Sequence, residues 1–179
     1  MKLSVTPTQH ERKLDENDFI VSKTDTSGRI TYANRIFMDI CGLPESDLLN
    51  IQHNIIRHPD MPRGVFRFMW DTLKSGEEFF GFAKNLCADG GFYWVFANIT
   101  PDYDKDGHLK GYYSVRRKPP ESALNILIPV YKEMLAIEKN ASTKEAPDKS
   151  IAYLVDVVQS TGAKNYNSLV LDLFKPQGL

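Results

Sequence analysis

The sharpest cluster of chemically capable side chains is Arg57-His58-Pro59-Asp60, which places a cation, an imidazole and a carboxylate within four positions. A guanidinium donates two parallel hydrogen bonds to a phosphate, so this cluster suits a ligand that carries phosphate groups. A structural alternative is that Asp60 caps a helix that opens near Pro62, while Arg57 pairs with Asp60 at the surface. The residue types alone leave both interpretations open.

Aromatic residues form the second group that could contact a ligand. Trp70, on a predicted helix, could form one wall of a pocket for a flat, π-rich cofactor. Trp94, Phe66, Phe82 and Phe96 have spacings that suit either such a wall or an ordinary core. We expect Trp70 to stack on a ligand and Trp94 to be structural.

Several classes of function are excluded by what the chain lacks. It has no Gly-x-Ser-x-Gly elbow, no phosphate-binding glycine-rich loop and no His-Glu-x-x-His, so we expect no enzyme. Two cysteines, Cys41 and Cys87, are too few for a disulfide framework or a thiolate-rich metal centre, and no metal is expected. A formal net charge of −1 argues against duplex nucleic-acid binding. Without a signal peptide or a long apolar run, we expect a cytoplasmic protein with no membrane insertion.

The elements that must position these residues fall into three parts of the 179-residue chain. Residues 1–17 are polar and predict an N-terminal arm, 18–119 a single domain, and 120–179 a helical segment. The Pro119-Pro120 pair marks the second boundary, because proline donates no backbone hydrogen bond and restricts the residue before it. Alternation and turn signals predict strands over 19–23, 29–32, 79–87, 92–100 and 109–118, and a longer helix over 62–74. This order predicts an α+β domain whose five-stranded antiparallel sheet has helices on one face.

The last 60 residues predict amphipathic helices separated by a polar linker over 140–149. The first helix covers 122–139, where Pro129 either opens or kinks it. A second follows Ser150 and stops at Gly162, and a third covers 168–174 with Asn167 as its cap. Helices of this length need a surface to pack against, which is the sheet, a second copy or a partner protein.

The order of elements resembles the PAS fold, and particular motifs resemble one group within it. These motifs are 53–62 (HNIIRHPDMP), Trp70, Lys84-Asn85, 92–95 (FYWV), 98–101 (NITP) and 111–116 (GYYSVR). They are similar to the PAS domain of bacterial aerotaxis receptors, which holds flavin adenine dinucleotide (FAD) non-covalently and reports cellular redox state. The resemblance covers residues 18–119. The receptors also carry a membrane anchor and a long coiled coil, which this chain lacks, so a soluble stand-alone sensor or a receptor fragment is implied.

The resemblance implies roles for specific residues. In the family the arginine, histidine and aspartate of the 53–62 motif support flavin binding, which carries over to Arg57, His58 and Asp60. Asn85 and Asn98 lie on neighbouring predicted strands, and an amide can match the donors and acceptors of a flavin edge. Each could equally face solvent or bond to a loop. Asn34 stands where a strand ends and a helix begins, so it contacts the ligand or caps the helix.

The function implied is a redox, oxygen or energy-state sensor of aerotaxis-like signal transduction, with FAD in the PAS pocket. It would act on a partner protein and form a homodimer through the PAS domain or the C-terminal helices. Alternatives are a PAS module for haem, which His53 or His58 could ligate, or for another small ligand, a cofactor-free interaction domain, and a flavoenzyme.

Overall fold

The computed structural model describes residues 3–175, whose centre is one five-stranded antiparallel sheet. Its strands are β1 (Ile20–Asp25), β2 (Ile30–Ala33), β3 (Phe79–Leu86), β4 (Phe92–Tyr103) and β5 (Leu109–Arg117). The spatial order β2-β1-β5-β4-β3 places the last strand in the centre, between the first strand and the fourth. This sheet confirms the predicted α+β fold with a five-stranded antiparallel sheet.

The helices between β2 and β3 cover one face of the sheet, called the inner face below. They are α1 (Arg35–Cys41), α2 (Glu45–Leu48), a 3₁₀ turn (His53–Ile56) and α3 (Arg63–Lys74). Strand alternation points every second residue towards them, such as Gly81 of β3, which is paired with Ala97 of β4. Phe37 of α1 and Ile56 of the 3₁₀ turn are fully or almost fully buried, at 0% and 1% exposure.

The first hairpin shows how local chemistry fixes the turns. The carboxylate of Asp25 accepts hydrogen bonds from the backbone N–H groups of Ser27 (2.8 Å) and Arg29 (2.9 Å). Gly28 has a φ of +84°, a left-handed conformation that glycine adopts without strain. A side chain at this position would also lie 3.3 Å from the indole of Trp70, so the turn packs directly against α3.

Two of the C-terminal helices cover the outer face of the sheet. These are α4 (Glu121–Lys139) and α6 (Tyr166–Phe174), while α5 (Ala146–Ser160) packs against α4 and α3. Tyr131 of α4 donates a hydrogen bond to the Phe82 carbonyl (2.9 Å), and Phe174 of α6 stacks on Phe96 with ring centres 4.0 Å apart. Of the three surfaces considered from the sequence, the C-terminal helices thus use the chain's own sheet.

Part of the free edge of β3 is bonded by side chains of α6 and of the segment before α3. The Asn167 side chain of α6 accepts from the Phe80 N–H (3.4 Å) and donates to the Glu78 carbonyl (3.2 Å). The Met61 sulfur accepts from the Lys84 N–H at 3.2 Å. An edge strand with unpaired backbone groups is a site for aggregation, and here side chains take the place of a sixth strand.

Some predicted helix boundaries are wrong. Helix α5 begins at Ala146, inside the predicted linker, because Pro147 lies in its first turn, where a missing N–H costs nothing. Helix α6 begins at Tyr166 and its cap is Asn165, which accepts from the Ser168 N–H (2.8 Å) and leaves Asn167 for the sheet edge. Pro129 does not open α4 but lies inside it.

The described part of the predicted N-terminal arm is fastened to the sheet. Backbone N–H groups of Thr8 and Arg12 donate to the Gly90 and Phe92 carbonyls at 2.8 and 2.7 Å. The guanidinium of Arg12 pairs with Asp89 at 2.6 Å. The arm therefore packs against the turn between β3 and β4 and forms part of the domain.

Candidate functional site

A cleft of about 880 Å³, counting its open mouth, lies between α3 and the inner face of the sheet. It exists because the inner positions of β3 and β4 include small residues, Gly81, Ala83 and Ala97, where larger side chains would fill the space. The small side chains thus leave an apolar space between the helix α3 and the sheet, open at one end.

Apolar side chains at helical spacing form the wall opposite the sheet. Phe66, Met69 and Trp70 of α3 line the cleft together, since residues three and four apart share one face of a helix. Trp70 also packs edge-on against Tyr112 of β5, with ring centres 5.2 Å apart. The structure thus places Trp70 where the sequence predicted it, and its stacking on a ligand stays a prediction.

Two arginines line the cleft, and no aspartate or glutamate of residues 3–175 does. Arg57 donates to the Met61 carbonyl (2.9 Å) and lies over the Phe66 ring, 4.5 Å from its centre. Partial burial lowers the pKa of Arg57. Arg57 also lines a second groove outside the cleft, together with His58, so its side chain borders both spaces.

Arg116 of β5 is the second cation, and the sequence-based selection of site residues missed it. It is 5% exposed, donates to the Ser22 hydroxyl (3.0 Å) and lies 2.6 Å from Nε2 of His53. Burial lowers the pKa of Arg116 to about 10, which leaves it charged at pH 7. The pKa of His53 lies well below its usual value, mainly because the ring is buried and also because Arg116 is positively charged. The sequence signal that could have identified Arg116 is a charged residue at a strand position that faces the core.

The Arg57–Asp60 cluster divides between the cleft and its surroundings. His58 is 2% exposed, and its Nδ1 accepts from the Asp60 N–H (3.1 Å), which leaves the proton on Nε2. Burial and the charge of Lys84 lower the pKa of His58. Although partial burial alone would raise the pKa of Asp60, the hydrogen bond to Lys84 (2.7 Å) and its charge lower it.

The structural alternative, in which Asp60 caps α3 and pairs with Arg57, is wrong. Glu138, at the end of α4, accepts from the N–H groups of Arg63 and Gly64 at 2.9 and 2.8 Å, and so caps α3. Asp60 forms its ion pair with Lys84, whereas Arg57 bonds to a backbone carbonyl. The roles of Arg57, His58 and Asp60 in flavin binding stay predictions.

The three candidate asparagines have different surroundings. Asn85 is 7% exposed, lines the cleft and forms a backbone bridge with Arg57, so its predicted contact with a ligand stays open. Asn98 lies on the outer face, where it donates to Glu78 (3.0 Å), and it does not line the cleft; its contact with a ligand stays a prediction. Alternation along β4 places it on the same side as Trp94, which packs on Tyr131 of α4.

Asn34 is a helix cap. Its side-chain oxygen accepts from the N–H groups of Val21 (3.0 Å) and Phe37 (3.1 Å), and its amide donates to the Phe19 carbonyl (2.7 Å). These bonds use its donor and acceptor in joining β1 to α1. The capping alternative is confirmed; Asn34 does not line the cleft, and its contact with a ligand stays a prediction.

The comparisons with known proteins agree with this geometry: the family described as the PAS fold matches residues 30–116, and the chain contains a PAS domain. Among solved structures, the PAS domain of a Colwellia psychrerythraea protein has a TM-score of 0.51 at 17% identity, covering 56% of this chain and 85% of that one. The dark-state LOV domain of the blue-light photoreceptor Aureochrome1 has a TM-score of 0.54 at 18% identity, covering 66% and 96%. At these identities the likeness shows the fold.

Two curated relatives are similar in sequence. The aerotaxis receptor of Escherichia coli K12 is 37% identical over 129 residues, which are 72% of this chain and 25% of the receptor. A nitrogen fixation regulatory protein of Klebsiella pneumoniae is 32% identical over 104 residues, 58% of this chain and 21% of that protein. The chain therefore spans a quarter or less of these relatives. Between residues 3 and 175, no helix is both long and apolar enough to cross a membrane.

Proposed function

We propose that this chain is a signal-transduction module that binds FAD in the PAS cleft and transmits the redox state of the flavin, in response to oxygen or energy state, to a partner. The observation that carries the proposal is the cleft itself. It is apolar and aromatic on the α3 side, it contains two arginines, and no acidic residue of 3–175 lines it. Such a site favours a flat ring with anionic groups. The similarity to an aerotaxis receptor supports the sensory role.

The polar atoms that lack a partner fit a cofactor with many acceptors. Arg116 has one free guanidinium nitrogen, Nη1, and Ser114 a free hydroxyl, both buried and both in the lining of the cleft. Buried donors without acceptors are rare in folded proteins, because each costs about 1–3 kcal/mol. When bound, the flavin would supply reversible electron transfer, and these groups would hold and orient it.

The position of Arg57 suits the phosphates of the dinucleotide. The ring would occupy the cleft beside Trp70, and the diphosphate would leave the cleft beside Arg57, towards the outer groove. His58 lines the same groove, and the neighbouring Asp60 is paired with Lys84 at 2.7 Å. The two arginines would thus serve different parts of one ligand.

The contacts of α3 provide a route to the C-terminal helices. This helix carries Trp70 on the cleft side, and its first turn is held by Glu138 of α4, which also accepts from Ser150 of α5 (2.7 Å). A shift of α3 that follows a change in the cofactor would alter these bonds. We therefore propose that α4 and α5 transmit the signal to the partner protein, in the cytoplasm.

A homodimer is part of the same proposal. Because α4 and α6 cover the outer face of β3 and β4, the part of the sheet left to a second copy is the outer side of β1 and β2. Phe19 and Tyr32 are 43% and 45% exposed there.

Geometry favours a flavin over haem. Nε2 of His53 already accepts from Arg116, which leaves it unavailable to an iron atom. His58 lines the outer groove and is absent from the residues that line the cleft. A cofactor-free domain or a flavoenzyme would be recognised by the experiment below.

The test is the absorption spectrum of freshly purified protein before and after dithionite, repeated after refolding with excess FAD and removal of the unbound FAD. Flavin bands that bleach support the proposal. A Soret band, or a colourless protein after refolding, contradicts it. Steady NADH oxidation well above the free-flavin rate would indicate an enzyme instead.

The residue assignment is tested with Arg57→Ala and Asp60→Ala. We expect FAD affinity to fall at least tenfold in Arg57→Ala, because one charge-assisted hydrogen bond contributes about 1.5–3 kcal/mol. We expect it to fall in Asp60→Ala as well, because Lys84 loses its ion-pair partner. Arg67→Ala removes a cation that pairs with Asp71 on the exposed side of α3, and serves as the matched control. Full flavin occupancy in both variants would refute the assignment of this cluster.

A further inference from the structure

Arg116 is a buried charge without a countercharge. A cation removed from water normally has a carboxylate beside it, because desolvation of a lone charge costs several kcal/mol. The hydrogen-bonding neighbours of this guanidinium are instead the Ser22 hydroxyl and the His53 imidazole, both neutral. Its other terminal nitrogen, Nη1, is buried with no acceptor.

The imidazole cannot supply the missing negative charge. A guanidinium only donates hydrogen bonds, so at 2.6 Å Nε2 of His53 must accept and its proton lies on Nδ1. The ring stacks on Phe37, with centres 5.7 Å apart, and Phe37 also faces the guanidinium at 5.4 Å. This packing fixes both partners in place.

The other titratable groups around Arg116 are neutral at pH 7. Burial raises the pKa of the Cys41 thiol to about 11 and that of the Tyr93 hydroxyl well above its usual value. The positive charge at the base of the cleft is therefore uncompensated within the described chain. Ser114, the neighbouring inward-facing residue of β5, has a hydroxyl that is buried and unpaired as well.

We propose that Arg116, held by Ser22 and His53, is the positive charge that this cleft offers to the pyrimidine edge of the flavin, and that it makes the site prefer the reduced form. The inference rests on the proposed function and names a residue that sets the redox response. Reduction of a flavin by two electrons with uptake of one proton leaves one negative charge, shared over N1 and the C2 carbonyl. A buried cation beside that edge stabilises this charge more than it stabilises the neutral oxidised ring.

The fixed arrangement explains why an arginine suits this role. Its planar fork can bond to Ser22 and His53 through one nitrogen and still present Nη1 to a ligand. The ratio of affinities for reduced and oxidised flavin determines the midpoint potential. Arg116 therefore sets the range of cellular potentials to which the sensor responds.

The experiment measures the midpoint potential of FAD-reconstituted protein by stepwise reduction with dithionite, which supplies the electrons, in the presence of reference dyes. For Arg116→Gln we expect the preference for reduced flavin to fall at least tenfold, which is about 30 mV for a two-electron couple. Arg117→Gln, on the outer face beside Phe174, is the matched control and should keep the wild-type potential.

A second variant keeps the arginine and removes its free charge. Ser22→Asp places a carboxylate beside the guanidinium, so the charge is paired inside the protein, and the fold does not lose a buried side chain. Its preference for reduced over oxidised flavin should be at least tenfold lower than that of Ser22→Asn, which has the same size without the charge. The midpoint potential of Ser22→Asp should therefore be lower by at least about 30 mV. This comparison decides the matter if Arg116→Gln does not fold.

The outcomes separate this inference from the proposed function. If the wild type takes up no flavin, both fail. If the wild type binds FAD and the potential of Ser22→Asp equals that of Ser22→Asn, the role of Arg116 is refuted while flavin binding stands. An Arg116→Gln protein that keeps the wild-type potential refutes it equally.

Discussion

Glu138 connects the PAS domain to its C-terminal helices through three hydrogen bonds, so replacing Glu138 should lower the free energy of unfolding measurably. The carboxylate accepts from the N–H groups of Arg63 and Gly64 and from the Ser150 hydroxyl, at 2.7–2.9 Å. Loss of a helix N-cap costs about 0.5–2 kcal/mol, and loss of a negative charge at a helix N-terminus about 0.3–1 kcal/mol. We therefore expect Glu138→Ala to lower the free energy of unfolding by about 2 kcal/mol.

Glu138→Gln should cost about half as much, because an amide keeps one acceptor oxygen but loses the charge. The measurement is equilibrium urea denaturation, combined with hydrogen exchange at residues 63 and 64, which should become about tenfold faster when their acceptor is lost. Glu133→Ala, an exposed position on the same helix, is the control. A Glu138→Ala protein within 0.5 kcal/mol of the control, with unchanged exchange at residues 63 and 64, would refute the reasoning.

Two further predictions concern stability. Gly64→Ala would normally stabilise a helix by about 1 kcal/mol, but here the added carbon would overlap the Ser150 hydroxyl and lie 3.1 Å from the Pro147 carbonyl. We therefore expect the free energy of unfolding in urea to fall by about 1–3 kcal/mol. A gain in stability would show that α5 docks elsewhere. Because the folded-state pKa of His53 is depressed, the unfolded chain binds its proton first, so stability is complete above about pH 6.5 and falls below it. His53 should contribute up to about 1.4 kcal/mol per pH unit, and His58, whose pKa is also lowered, adds to the slope. Denaturation of His53→Gln between pH 6.5 and 5 should show a shallower slope, and an unchanged one would contradict the burial of a neutral ring.

The sequence predicted the site well where the local pattern was sufficient. Residues three and four apart on a helix share a face, so Trp70 and Phe66 could be placed on one wall without knowledge of the fold. Strand alternation likewise grouped Trp94 and Asn98 correctly. The sequence leaves open which face of the sheet meets the cleft. The structure places both residues on the outer face, where Trp94 packs on Tyr131 and Asn98 donates to Glu78.

Interactions between distant segments could not be predicted. Glu138 caps a helix that begins 75 positions earlier in the chain, and Asn167 satisfies the edge of a strand 87 positions before it. In both cases the partner depends on how α4 and α6 dock on the sheet. Their amphipathic patterns predicted that the helices need a surface to cover, but a pattern of this kind does not specify which surface.

By itself, the sequence determined the elements, their order and several of the turns, because these follow from hydrogen bonds and packing within a few residues, as at Asp25 and Asn34. Its motifs also determined the PAS resemblance. Only the tertiary structure decided that Arg116 meets Ser22 and His53 with no carboxylate nearby. The register of β1 against β5 and the docking of the 3₁₀ turn bring these three residues together from positions up to 94 residues apart. Whether a buried charge is paired depends on everything that surrounds it, which local sequence does not specify.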